Sequence, residues 1–325
     1  MSYRNFLKLT LLLAFCVIVL GAYTRLTDAG LGCPDWPTCY GELVVPASPE
    51  EVEQKHYLEQ RPLEPHKGWA EMIHRYFAGT LGLAILALTI WSWRRRASDP
   101  RQPVWVPTLL LGVVVFQALL GMWTVTLLLK PVVVMGHLLG GFATLSLLFL
   151  LLLMTGERRT VARHVGRAWP LLALLVVIAQ IALGGWTSTN YAALACPDFP
   201  TCQGQWWPNM DFSEAFVLWR GLGINYEYGV LDNPARTAIH MTHRIGALVT
   251  LLVAGGMALG LVGRGGAPGR AGLVVLLLLL LQVTLGISNV LLTLPLPVAV
   301  AHNAVAAMLL LSLINVNYLP WQRRS

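Results

Sequence analysis

Charge is what this sequence has least of. Only 12% of its 325 residues are Asp, Glu, Lys or Arg, about half of the ~25% usual in globular domains. Cysteine is sparse too, with five in the chain. None stands in a Cys-x-x-Cys-His arrangement, which excludes covalent attachment of a c-type haem. No small-x-small cleavage site follows the first apolar run, so that run reads as a membrane span and not as a removed signal peptide. The net charge of +7 and pI near 9.4 do not make this a nucleic-acid binder. In a membrane chain the distribution of Lys and Arg decides, not their sum.

What is present is long apolar runs. Hydrophobic residues make up 56% of the chain. Eight stretches approach or exceed the ~20 residues that cross a bilayer core of ~30 Å as a helix. They lie at roughly 6–26, 68–93, 104–127, 132–154, 168–189, 236–262, 271–293 and 297–319. The fold class is therefore all-α integral membrane. Fourteen of the 23 bases fall on one side, among them Arg94–Arg96, Arg158, Arg159, Arg163, Arg264, Arg270, Arg323 and Arg324. The positive-inside rule places that side, with both termini, in the cytoplasm of a cell inner (plasma) membrane. Two long loops, about 27–67 and 190–235, then face outward. Each is expected to carry a surface helix, one capped by Ser48 before Pro49, the other by Ser213 with Phe216, Val217 and Trp219 at the lipid interface.

The chain repeats itself. Gly21-Ala22-Tyr23-Thr24 answers Gly184-Gly185-Trp186-Thr187, and Cys33-Pro34-Asp35-Trp36-Pro37-Thr38-Cys39 answers Cys196-Pro197-Asp198-Phe199-Pro200-Thr201-Cys202, both at an offset of 163. His74-Arg75 answers His243-Arg244 at 169, and Gln117, Gly121 and His137 answer Gln282, Gly286 and His302 at 165. Each repeat holds an even number of spans, so both halves, 1–160 and 161–325, enter the membrane in one orientation. A pseudo-two-fold axis along the membrane normal is the expectation.

Ionisable groups inside a span mark a functional site by default. His74, His137, His243 and His302 each lie about six residues inside the outer mouth of a span, a depth of roughly 9 Å at the helical rise. In each half one comes from the second span and one from the fourth. Paired imidazoles from facing helices suit the two axial positions of a haem iron. Two histidines are too few for a closed zinc site. The bland alternative is four buried histidines bonded to neighbouring helices. The halves differ three residues before the first histidine, with Glu71 in one and His240 in the other. The i,i+3 spacing puts Glu71 on the face of His74. There it can move protons or steady a developing cation, or simply pair with Arg75. Arg75 and Arg244 are candidates for haem propionates, for snorkelling to headgroups, or for pairing within the protein. Gln117 and Gln282 read as interhelical hydrogen bonders. Cysteine pairing within each heptad, Cys33–Cys39 and Cys196–Cys202, is favoured because two prolines pre-bend each segment. A structural staple and a redox-sensitive pair both remain open readings.

Together these segments resemble the haem A synthases of cytochrome oxidase assembly, over essentially the whole chain. The resemblance implies oxidation of a methyl group of haem O to a formyl group, giving haem A. It implies that His74 and His137 hold the substrate haem, that Glu71 acts in the oxidation, and that His243 and His302 ligate a resident haem b. It further implies a haem O synthase as supplier, the cytochrome oxidase assembly machinery as recipient, and a separate electron donor. Membrane lipid surrounds the chain, and self-association into a homo-oligomer is left open. Rival readings are a non-enzymatic dihaem b electron-transfer protein and a haem carrier.

Overall fold

A computed structural model describes residues 1–156 and 166–318. The basic residues Arg158, Arg159, Arg163, Arg323 and Arg324, and the boundary at 160, lie outside that range. Among the described residues eight helices are long and apolar enough to cross a membrane. The only β features there are two isolated bridges, Cys39 with Glu42 and Cys202 with Gln205. The chain is thus a multi-pass, all-helical membrane protein.

It divides into two compact units. The first is residues 1–145 together with 217–230; the second is residues 146–216 together with 231–325. The first unit holds α1 (Tyr3–Leu26), a short α2 (His56–Gln60), α3 (Pro65–Arg96), α4 (Trp105–Thr126) and most of α5 (Pro131–Met154). Ser2 caps α1 by accepting from Asn5 N at 3.2 Å. Pro65 opens α3, where its missing N–H costs nothing. Arg94, Arg95 and Arg96 end α3, where cations suit the helix dipole. Polar ties fix the packing at both ends of the α1–α3 pair. Tyr3 Oη lies 2.7 Å from Ser92 Oγ, and Thr24 Oγ1 donates to Ala70 O at 3.1 Å. Thr89 Oγ1 joins α3 to α4 through Pro107 O at 2.9 Å. In a bilayer such bonds matter, because no water can satisfy a stranded group.

The second unit holds α6 (Ala168–Thr189), α7 (Phe212–Ala215), α8 (Asn233–Val262), α9 (Gly266–Leu291) and α10 (Leu296–Tyr318). Here α6 packs on α8, α8 on α9, α9 on α10, and α10 back on α6. Trp169 Nε1 donates to Val253 O at 3.0 Å, and Asn317 Nδ2 to Pro170 O at 3.0 Å, closing the ring.

The repeat reaches the backbone. Asp28 and Tyr191, Tyr40 and Gln203, Leu128 and Thr293, and Leu129 and Leu294 all have φ between 51° and 60°. Non-glycine residues rarely adopt that region, yet they do so here at matching positions in both halves.

The loop helices depart from expectation. Ser48 makes no side-chain cap, and Pro49–Glu51 forms a single 3-10 turn. Ala47 N is satisfied by Glu51 Oε2 at 2.8 Å instead, and Val52 is extended and fully buried. An inward-facing apolar residue so soon after the start ends the helix. In the second loop Asp211, not Ser213, is the cap, accepting from Ser213 N and Glu214 N, and α7 stops at Ala215. Residues 217–230 leave it to pack in the first unit. There the Lys130 ammonium lies 3.5 Å from the centre of the Trp219 ring and donates to Gly221 O. Arg61 forms a two-point pair with Glu227 at 2.7 and 2.9 Å. A buried lysine needs such partners, and they draw the segment out of helix.

Candidate functional site

The first unit builds its site from the start of α3. Glu71 is only 5% exposed. Its Oε2 accepts from Cys33 N at 2.9 Å, and its Oε1 accepts from Arg75 Nη2 at 2.6 Å. Arg75 also donates through Nη1 to Thr38 O at 2.6 Å and Pro37 O at 3.2 Å. The arginine therefore bridges the carboxylate and the cysteine loop. The loop is closed by the Cys33–Cys39 disulfide and packs both sulfurs against Tyr40, Val45, Val52 and Met72. Asp35 organises it from within, accepting from Thr38 Oγ1, Tyr40 N and Gly41 N. Burial pushes the Tyr40 hydroxyl up to about 12, so it stays a neutral donor, to Pro62 O at 3.0 Å.

One turn further along α3, His74 faces His137 of α5. Their ring centres are 6.3 Å apart with planes at 82°. Metal–imidazole bonds run about 2.0–2.1 Å and each ring centre lies roughly 1.1 Å behind its nitrogen, so two axial imidazoles on one iron separate ring centres by about 6.3 Å. The pair fits a bis-imidazole haem. Two glycines make room for it. A Cβ at Gly21 would lie 2.9 Å from His74 Cε1, and one at Gly121 would lie 3.4 Å from His137 Cε1. Nδ1 of each ring is buried without a side-chain partner, and only main chain, of Val17 for His74 and of Gln117 for His137, lies within bonding reach of the rings. Among the described residues no three His, Cys, Asp or Glu side chains converge on a metal position, so the donor set suits a group that brings its own equatorial ligands.

The second unit repeats the cradle with different neighbours. A Cβ at Gly184 or at Gly286 would lie 3.1 Å from Cε1 of His243 or His302. Arg244 grips the second cysteine loop as Arg75 grips the first, donating to Thr201 O at 2.8 Å, Asp198 O at 2.7 Å and Cys196 O at 3.3 Å. Cys196 and Cys202 are bonded there. The Asp198 carboxylate accepts from Thr201 Oγ1, Gln203 N and Gly204 N, led by the threonine hydroxyl, and these hold its pKa below the usual range.

Among the described residues no carboxylate acts on His243. His240, at the position of Glu71, instead places Nδ1 2.9 Å from Ala192 O. Gln282 reaches His302 Nε2 at 3.2 Å, an interhelical contact as expected, and must turn aside for an iron to bind that nitrogen. Its counterpart Gln117 finds no partner for Nε2 and lies in a slot at Gly140, where a Cβ would be 1.6 Å away. Val305 occupies the matching place in the second unit.

Both arginines thus engage loop carbonyls, and Glu71, Arg75 and the first cysteine loop form one cluster. One residue was missed from the sequence. Gln180 of α6 places Nε2 3.1 Å from His243 Nδ1 and 2.9 Å from His243 O. The usable signal was its repeat partner at offset 163, the apolar Val17.

Residues 4–314 match the family model described as COX15-CtaA, cytochrome oxidase assembly protein. The chain is 47% identical over 324 residues to a protein of Shewanella oneidensis named Heme A synthase, an alignment covering 98% of this chain and 97% of that relative. A Caulobacter vibrioides protein of the same name is 30% identical over 328 residues, covering 92% of this chain and 90% of its own.

Proposed function

The chain belongs to the COX15-CtaA family of cytochrome oxidase assembly proteins, and from that membership we propose that its two histidine pairs divide one reaction between them. It is an enzyme that makes haem A for cytochrome oxidase. The substrate is haem O, held in the N-terminal half between His74 and His137. The reaction is a four-electron oxidation at carbon: a methyl group becomes a formyl group, two C–H bonds break, one oxygen atom enters from water or O2, and the electrons pass to an external oxidant, which is O2 itself where a separate donor is also needed. In the C-terminal half His243 and His302 hold a haem b, which when bound supplies one-electron transfer. A haem O synthase delivers the substrate, the oxidase assembly machinery takes the product, and a separate donor supplies electrons. Both termini lie in the cytoplasm of the cell membrane, and the cysteine loops lie outside.

The observation that carries this reading is the single carboxylate. Of the two units only the first sets an acid one turn before its leading histidine. Removing hydrogen from a methyl group on a conjugated ring builds positive charge at that carbon and releases protons. A fixed carboxylate stabilises the charge and takes a proton. Cys33 N–H and the Arg75 guanidinium hold Glu71 in one orientation. Both of its oxygens are occupied, so accepting a proton requires one of these contacts to open. The Cys33 N–H is fixed in the disulfide-closed loop, so the side-chain contact from Arg75 is the one that opens.

The test is the extracted pigment. Wild-type protein supplied with haem O should yield haem A on chromatography. Glu71→Ala should retain both haem absorption bands and yield haem B and haem O without haem A. Haem A at the wild-type rate from Glu71→Ala would remove the carboxylate from the mechanism.

A further inference from the structure

The two arginines that follow the leading histidines are spent on loop carbonyls. The second unit holds a further guanidinium that is not spent. Arg236 lies in the first turn of α8, and its Nε is buried with no hydrogen-bond partner. Among the described residues it enters none of the ion pairs. Asp232, four residues earlier, is exposed and engages only the Arg236 main chain, through its carbonyl at 3.1 Å. A cation drawn out of water is costly unless an anion meets it. The first unit answers that cost internally. Pro65 and Pro234 share the offset of 169 that relates the leading histidines, so Lys67 matches Arg236 and Glu64 matches Asn233. Lys67 Nζ lies 3.0 Å from Glu64 Oε2. Asn233 is neutral, so the second unit has the cation without its acid.

We infer that Arg236 pairs with a propionate carboxylate of the haem held by His243 and His302, and so retains that haem in the second half. The inference rests on the haem reading proposed above. Arg236 stands seven residues before His243 on one helix. Seven residues return to within about 20° of the same face and lie about 10 Å nearer the outer mouth. His240, between them, offers an imidazole and not an anion, and its Nδ1 is engaged by Ala192 O. A haem carries two propionates on one edge, and that edge can turn to the outer mouth, where the guanidinium waits. Guanidinium and carboxylate match in charge and in planar, two-point shape. The difference between the halves then has a use. A substrate must leave once it is altered, whereas a resident cofactor must stay.

The experiment measures haem release from the purified, haem-loaded protein, in a His74→Ala background so that the second site is read alone. Excess apomyoglobin traps haem as it leaves, and the change in the Soret band gives the rate. Arg236→Gln should release haem about tenfold faster, the scale of one hydrogen bond between charged groups. Arg236→Lys should fall between that and the parent. Loaded instead with iron protoporphyrin dimethyl ester, whose side chains carry no charge, the parent and Arg236→Gln should release within twofold of each other. Release of free-acid haem from Arg236→Gln within twofold of the parent overturns the inference. So does an equal acceleration with the ester, which would make the arginine a support for the fold alone. If Arg236→Gln does not fold, the parent decides, and ester haem leaving no faster than free-acid haem overturns the inference. A parent protein with no Soret band fails earlier and overturns the haem reading itself.

Discussion

Two units of one repeat have kept the same scaffold and changed what faces the histidines. Each clamps a cysteine loop with an arginine one residue after its leading histidine, and each cradles both rings against glycines. Against that shared frame the differences stand out. The first has Glu71, Val17, and Gln117 tucked at Gly140. The second has His240, Gln180, and Gln282 turned onto His302. On the function proposed above, the shared features hold a planar guest and the differing ones decide whether it is altered. The arginines belong to the frame, since both are spent on loop carbonyls, and the carboxylate belongs to the difference.

The sharpest way to break this comparison is to give the first unit the residue of the second. Glu71→His should lower haem A formation by roughly 100-fold or more, the scale of a lost acid–base group. His240→Glu should leave it near wild type. Pigment chromatography of both variants checks the pair, and equal losses would mean the asymmetry is not catalytic.

The next effect tests the shared frame. Gly21→Val, Gly184→Val and Gly286→Val should displace the facing imidazole, with the largest loss at Gly21, where the clearance is 2.9 Å, and a smaller one for Gly121→Val at 3.4 Å. Haem content per polypeptide is the readout. A flat series would show that the glycines serve helix packing and not the rings.

Eight spans and four histidines were legible because a bilayer makes charge inside a helix costly, so each exception is visible. The offsets of 163, 165 and 169 then paired the exceptions. Gln180 escaped because a lone glutamine in a span reads as a generic hydrogen bonder, and only the contrast with Val17 gives it meaning. The loop helices were misjudged for a different reason. Ser48 and Ser213 have the right local chemistry for caps, but Val52 turns inward and Lys130 recruits Trp219 and Gly221, and tertiary contacts override caps on so few residues.

The arginines allow a finer comparison. Arg75→Ala removes the loop clamp and also strands the nearly buried Glu71, whereas Arg244→Ala removes only the clamp. Breaking a buried pair costs about 3–5 kcal/mol, and net neutral hydrogen bonds are worth about 1 kcal/mol each. Arg75→Ala should therefore lower the unfolding midpoint more than Arg244→Ala, and Arg75→Ala combined with Glu71→Gln should recover part of the difference. Equal midpoints for the two single variants would place Arg75 in the shared frame alone.

The smallest effect concerns the second loop and pH. Asp198 is half-buried, and its depressed pKa is due first to the Thr201 hydroxyl and then to the main-chain N–H groups of Gly204 and Gln203. A carboxylate with a pKa lower in the folded loop than in the unfolded chain stabilises the loop above the ordinary carboxylate range. That contribution fades as pH falls through its folded value, because the protonated acid accepts these bonds poorly. Trp206 and Trp207 follow the loop directly and are exposed, so their emission reports its order. Wild-type emission should change only on the acid side of the ordinary carboxylate range. Asp198→Asn should remove that transition while leaving haem A formation unchanged, since Arg244 grips main-chain carbonyls of this loop and not the carboxylate. An acid transition that survives Asp198→Asn would assign the loop's order to the disulfide and the arginine alone.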